Sequence, residues 1–203
     1  GEVIKDYFMN FYIYQSDITV DLQTNEVEIH RKQTEDWKVS IVDTGLQSSV
    51  MARLIMVREL VGDEPVLVAY GDCLSDIDIQ EMVESHHRKQ SLATVAIAHP
   101  TGRNEILALN EQGCYIGTKQ GKKQKHSWVN ACSMVLEARA FDYLKENQEN
   151  HFALSLMDCL AAHEPVQTYR HEGFWSPVET IRDKTWMENL WAQHKAPWKV
   201  WED

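Results

Sequence analysis

Apolar positions along the chain switch repeatedly between helical spacing and strand-like runs, the mark of a protein that alternates helix and strand. The opening VIKDYFMNFYIY has apolar residues at helical spacing and predicts an amphipathic helix. ITVDLQTNEVEIH forms two alternating runs around Thr24-Asn25, which predicts a hairpin. VSIVDTG predicts a short strand ending in a turn, and residues 50–60 predict a helix. EPVLVAY and SLATVAIAH are continuous apolar runs, as expected of strands covered on both faces of a parallel sheet. Between them, DIDIQEMVESHHRKQ reads as a helix. Asp76 is its expected N-cap, and His87-Arg88-Lys89 complement its C-terminal end. Residues 65–99 therefore predict a strand–helix–strand unit with parallel strands and a right-handed crossover.

A hairpin over EILALNEQGCYIGTK follows, then a buried strand in VNACSMVLEA and helices in AFDYLKENQ and ALSLMDCLAAH. A late strand, PVQTYRHEG, precedes a final amphipathic helix in VETIRDKTWMENLWAQHK. This order predicts an α/β fold with a mixed, mostly parallel sheet flanked by helices and a small antiparallel portion. Repeats, low-complexity tracts and Pro/Gly linkers are absent from the 203 residues, so a single domain over 1–203 is expected. A chain of this length buries roughly 70% of its unfolded surface and needs no disulfide or metal to hold a core.

Composition and charge narrow the function. With 43% hydrophobic and 25% charged residues the chain is neither disordered nor fibrous. Lys and Arg total 20 against 31 Asp and Glu, and a net charge of −11 repels phosphate backbones, so nucleic acid is not an expected partner. The longest apolar runs, Pro65–Tyr70 and Leu92–Ala98, are far short of the roughly 20 residues of a spanning helix, and no membrane insertion is expected. Cys73, Cys114, Cys132 and Cys159 contain no C-x-x-C pair, which favours buried thiols in a reducing cytoplasm over zinc or disulfides.

Candidate chemistry centres on Tyr70-Gly71-Asp72, at the end of a predicted strand where ligands of open α/β sheets bind. A carboxylate there, preceded by glycine, is placed either to hold Mg2+ against phosphate oxygens or to cap the following turn. Glu179 opens the last helix, where the helix dipole alone also accounts for it. Lys119, Lys122, Lys123, Lys125 and His126 form the single basic cluster, read either as a phosphate cradle or as a solvated loop. His86-His87 are adjacent and point apart on a helix, which discounts them as a metal pair. Trp186, Trp191, Trp198 and Trp201 fit core or subunit contacts better than a stacking platform. P-loop, G-x-G-x-x-G, G-x-S-x-G and H-E-x-x-H motifs are absent.

The fragments VDTG, YGDCLSDIDI, ATVAIAHPTGR, GFWSPVETIRDK and APWKVW, in this order, resemble the glucose-1-phosphate cytidylyltransferases among the sugar nucleotidylyltransferases. The resemblance implies a Rossmann-like nucleotidyltransferase fold, Mg2+ dependence, an oligomer (a hexamer in that family) and the union of CTP with α-D-glucose 1-phosphate. Carried over residue by residue, Asp72 matches a metal-binding aspartate, and Glu179 takes the place of a second one with a carboxylate one methylene longer. Arg53 matches a phosphate-side arginine that takes part in catalysis with Asp72, and Asn130 a sugar-contacting asparagine. Thr44 and Gly45 match a loop lining the site, and Gly71 the glycine before the metal aspartate. Lys122 is the nearest stand-in for a lysine on the sugar phosphate.

The departures fall where backbones approach ligand. The family's Y-G-D-G is here Tyr70-Gly71-Asp72-Cys73, and its I-N-G-G is Val129-Asn130-Ala131-Cys132. Its T-G-G-R is Val50-Met51-Ala52-Arg53, its G-R-F-G is Gly102-Arg103-Asn104-Glu105, and its sugar-binding glutamate falls near Ser155. The family's glycine-rich nucleotide loop, G-x-G-T-R, has no counterpart in these residues. The expectation is a degenerate active site in a structural or regulatory subunit, with an active cytidylyltransferase whose N-terminal segment lies outside the given chain as the alternative. Either upstream residues or a partner is then expected to cover the open sheet edge.

Overall fold

The computed structural model describes residues 1–32, 36–99, 106–119, 127–144 and 153–202. The predicted Lys122 contact, Gly102-Arg103 and most of the basic cluster lie outside them, as does the side chain of Ser155. The chain divides into two compact units, Gly1–Leu46 and Gln47–Asp203.

In the first unit α1 (Glu2–Tyr14) leads into a two-stranded antiparallel ribbon, β1 (Ser16–Asp21) and β2 (Glu26–Lys32). The ribbon turns where expected: the Asp21 carboxylate accepts the Gln23 N–H at 2.8 Å, and Asn25 adopts φ 59°, which its short polar side chain tolerates. VSIVDTG forms no strand; residues 36–45 run without regular pairing. Its apolar side chains instead line a groove of about 510 Å3, in which Val39, Ile41 and Trp37 face Phe8, Met9 and Phe11 of α1.

The second unit carries a four-stranded sheet in the order β3 (Val66–Ala69), β8 (Val129–Leu136), β5 (Ala93–Ala98), β9 (Val166–Arg170). Strands β3 and β5 both pair antiparallel to β8, so they run parallel to one another with β8 between them, and β9 is parallel to β5. Every residue of β5 is buried, and its alternation shows why the run is continuously apolar. Ala93, Val95 and Ile97 face a core with α2 (Val50–Val61) and α4 (Ala153–Ala161), while Ala96 and Ala98 face a second core with α3 (Ile79–Lys89) and Trp175. Helices on both faces demand apolar residues at every position.

The similar run in EPVLVAY has a different cause. Among the described residues β3 pairs on one side only, with β8; Val66 and Val68 pack inward and Leu67 is exposed. Asp78, not Asp76, caps α3, accepting the Glu81 N–H at 2.9 Å, because Asp76 is drawn to a histidine in the late segment. The second hairpin forms as expected from β6 (Ile106–Leu109) and β7 (Tyr115–Lys119). Of the first of the two helices expected before β9, over 140–148, the described part forms a 3-10 turn, Ala138–Tyr143, and the remainder lies outside the described residues. Of the late tryptophans only Trp198 is buried; Trp186, Trp191 and Trp201 are exposed.

Candidate functional site

Where β3 ends, the Tyr70 N–H donates to the Cys132 carbonyl at 3.0 Å, and the chain leaves the sheet through Gly71 and Asp72. It then enters β4 (Cys73–Ser75), which pairs antiparallel with β10 (Trp175–Pro177): Cys73 lies opposite Pro177 and Ser75 opposite Trp175. One step beyond this ribbon the Val178 N–H donates to the Asp72 carbonyl at 2.7 Å. Residues 107 positions apart in the chain, Asp72 and Glu179, are thereby brought to the same end of one ribbon, and both are exposed. Gly71 is exposed too, and a Cβ built on it meets nothing within 4 Å, so the backbone beside Asp72 is open to approach.

Both ends of the late segment are fixed. Glu179 lies before the first turn of α5 (Ile181–Ala192), not within it. Thr180 caps that helix through a capping box with Asp183, whose carboxylate also accepts the Glu179 N–H at 3.2 Å. Glu179 therefore does no capping, and its carboxylate is left to solvent or ligand. At the far end of the ribbon, the buried His171 places Nε2 2.8 Å from Asp76 Oδ1 and 3.0 Å from the Phe174 carbonyl. A Cβ on Gly173 would stand 2.5 Å from that carboxylate, so glycine is required there.

The floor of the site is an irregular stretch of β8. Val95 pairs with Met134 but Ile97 with Asn130, so three β8 residues, Ala131 to Ser133, stand opposite Ala96 alone. Cys132 within this bulge has φ 65°, a left-handed conformation that a β-carbon disfavours. The Asn130 side-chain oxygen accepts the Cys132 N–H at 2.8 Å and holds the bulge. The side chain expected to contact a sugar thus bonds within the chain at both ends, its amide NH2 lying against Met157 Sδ at 3.9 Å.

Two thiols meet here. Cys73 and Cys132 pack against the same core cluster and interact with each other, and Cys73 Sγ lies 3.7 Å from Asp72 Oδ1. The contact between the thiols, reinforced by burial, pushes Cys73 up, and the hydrogen bond from Cys73 pulls Cys132 down. Burial and the negative charges of Asp72 and Glu179 oppose that shift at Cys132. Burial, helped by the neighbouring Cys132 and Asp72, pushes the Tyr70 phenol up to about 12, and its hydroxyl has no hydrogen-bond partner among the described residues. The sequence did not point to the thiol pair; its one trace was that both cysteines stand where the resemblance leads one to expect glycine.

The other predicted residues are more dispersed. Arg53 lies on the first turn of α2, where its Nε–H donates to the Ser48 carbonyl at 3.0 Å. Thr44 and Gly45 belong to the first unit, where the Gly45 N–H donates to Asp43 Oδ1 at 3.0 Å in a side-chain-closed turn. Among the described residues no three His, Cys, Asp or Glu side chains cluster as metal ligands. Two exposed carboxylates nonetheless suit Mg2+, which keeps several waters and takes one or two carboxylates together with phosphate oxygens.

Comparison with known proteins supplies the family. No family model matches the chain. It is 36% identical over 204 residues to the glucose-1-phosphate cytidylyltransferase of Salmonella typhi, covering 100% of this chain and 78% of that protein. With the same enzyme of Salmonella typhimurium it shares 35% identity over 203 residues, with the same coverage. Among solved structures, UDP-glucose pyrophosphorylase bound to UDP-glucose superposes with a TM-score of 0.61 at 16% identity, over 76% of this chain and 66% of that one. A protein of Bacillus anthracis assigned as a glucose-1-phosphate thymidylyltransferase gives a TM-score of 0.62 at 14% identity, over 78% and 65% of the two chains. The present chain thus spans just under two thirds of the solved chains and 78% of the curated relatives. These neighbours share its mixed α/β sheet with helices on both faces, the Rossmann-like arrangement of nucleotidyltransferases. The chain belongs to the glucose-1-phosphate cytidylyltransferase family of sugar nucleotidylyltransferases.

Proposed function

We propose that this chain is a glucose-1-phosphate cytidylyltransferase-like protein whose active site keeps a carboxylate pair for Mg2+ but is degenerate on the ligand side. Its role is then structural or regulatory, as a subunit of an assembly. The observation that carries this reading is the meeting of Cys73 and Cys132 beside Asp72. Glycine at those positions leaves backbone free to approach a phosphate or sugar. Two side chains fill that space instead, and one of them takes a strained left-handed backbone to do so.

In the family reaction the sugar phosphate attacks the α-phosphorus of CTP, and catalysis rests on alignment and neutralised charge. When bound, Mg2+ supplies positive charge to the phosphate oxygens. Asp72, just before β4, and Glu179, just beyond β10, would hold it, and the Glu179 backbone is pinned by Asp183. Arg53 is the candidate for a phosphate oxygen, with Lys122 as a further contact. Assembly is favoured by α1, which buries none of its residues and exposes Val3, Ile4, Tyr7, Met9 and Tyr12. Pyrophosphate release from CTP, Mg2+ and glucose 1-phosphate by the full-length protein tests the reading. Turnover below about 0.01 per second is expected, and a rate near one per second or above, ordinary for an enzyme, would contradict it.

A further inference from the structure

The two cysteines that meet beside Asp72 differ in kind from the other two. Cys114 and Cys159 are buried and engaged elsewhere: the Gln167 side chain donates to Cys114 Sγ at 3.2 Å, and Cys159 Sγ donates to the Tyr143 carbonyl at 3.2 Å. Cys73 and Cys132 are only half-buried, pack against the same core cluster and interact with one another. Their backbones are held in place independently of the sulfurs. Tyr70 bonds to the Cys132 carbonyl, Asn130 fixes the bulge, and the β4–β10 pairing sets Cys73 opposite Pro177.

We propose that Cys73 and Cys132 form an oxidant-sensitive dithiol, a modification site at which a peroxide joins the two sulfurs in a disulfide. The first thiol attacks hydrogen peroxide, the O–O bond breaks, and one oxygen stays on sulfur as a sulfenic acid while the other leaves as water. The second thiol then attacks the oxidised sulfur, the S–S bond forms, and the S–O bond breaks, releasing a second water that carries off the remaining thiol proton. Two electrons pass from the pair of thiols to the peroxide, so two thiols and one peroxide give one disulfide and two waters. Whichever sulfur is oxidised first, its resolving partner lies in the neighbouring segment of the same core cluster.

The cross-link fastens the residue next to Asp72 to the bulge of β8. Its effect on cation binding rests on the proposed reading of Asp72 and Glu179; the cross-link itself does not. The test is treatment of the whole chain with hydrogen peroxide, blocking of remaining thiols with N-ethylmaleimide, and peptide mapping by mass spectrometry. The expected product has lost two hydrogens per chain, joins the Cys73 peptide to the Cys132 peptide, and reverts with dithiothreitol, while Cys114 and Cys159 stay alkylatable. Cys73→Ser is expected to abolish the linked peptide and leave Cys132 as a sulfenic or sulfinic acid. Separate over-oxidation of the two cysteines in the natural sequence, linkage only between chains, or prior reaction of Cys114 and Cys159 would overturn the proposal. Mn2+ binding measured by electron paramagnetic resonance on the reduced protein separates the two ideas. Failure to bind Mn2+ removes the carboxylate reading and leaves the disulfide standing, whereas absence of the linked peptide removes the disulfide whatever Mn2+ does.

Discussion

Cys132 concentrates the conflict between scaffold and site. Its φ of 65° costs an L-residue roughly 1–2 kcal/mol, which glycine does not incur. Cys132→Ala keeps that strain and loses the sulfur contacts, whereas Cys132→Gly loses the contacts and relieves the strain. Chemical denaturation of the two variants is expected to show Cys132→Gly the more stable by about 1 kcal/mol. Equal stabilities, or a more stable alanine variant, would mean that the bulge does not hold residue 132 in the left-handed region. The sequence carried half of this finding. It showed cysteine where glycine was expected at two places, but not that a bulge in β8 and the turn after β3 bring the two together. That meeting depends on a register shift, which leaves no periodic trace in either segment.

At the scale of elements, His86 couples three pieces of structure. It lies on α3 with no exposed surface, Nδ1 is 2.9 Å from Thr94 Oγ1 on β5, and Nε2 is 3.1 Å from Glu137 Oε1 just beyond β8. Glu137 accepts the Nε2 proton, leaving Nδ1 to accept from Thr94. Burial holds the His86 pKa below its ordinary 6.5, against an opposing pull from Glu137. As pH falls through 6.5 the unfolded chain binds a proton at this residue that the folded chain does not, so stability falls with pH. The contribution is complete above 6.5 and lost progressively below it, down to the folded pKa. Urea midpoints from pH 7.5 to pH 5.5 are expected to fall in the natural sequence, and to fall less in His86→Gln. Parallel slopes would remove His86 as the cause. The His86–Glu137 pair is not legible in the sequence, where the two residues stand 51 positions apart. Its signals, a threonine inside an apolar strand and a glutamate ending another, become partners only in the folded sheet.

The same contrast between local and distant causes runs through the other elements. β5 was legible because helices on both faces write apolar residues into every position, and the Thr24-Asn25 hairpin because its turn chemistry is local. β3 has the same apolar appearance yet pairs on one side only among the described residues, and Asp76 lost the helix cap to Asp78 because His171 claims it. VSIVDTG alternates like a strand, but its apolar side chains found a groove beside α1 instead of a pairing partner.

For the whole molecule, the fold, the family and the proposed carboxylate pair form one account: a nucleotidyltransferase scaffold that brings Asp72 and Glu179 to the same end of one ribbon, beside the proposed loss of ligand space. With a net charge of −11, the chain has few cations to meet a triphosphate, and a bound divalent ion is the strongest source of positive charge its site can recruit. The most direct measurement is therefore a Mn2+ titration of the reduced protein beside Asp72→Asn and Glu179→Gln. Saturable binding of one ion per chain, weakened at least about tenfold in either variant by loss of a coordinating charge, is the predicted result. Titration curves that coincide for all three proteins, or no binding in any of them, would contradict it.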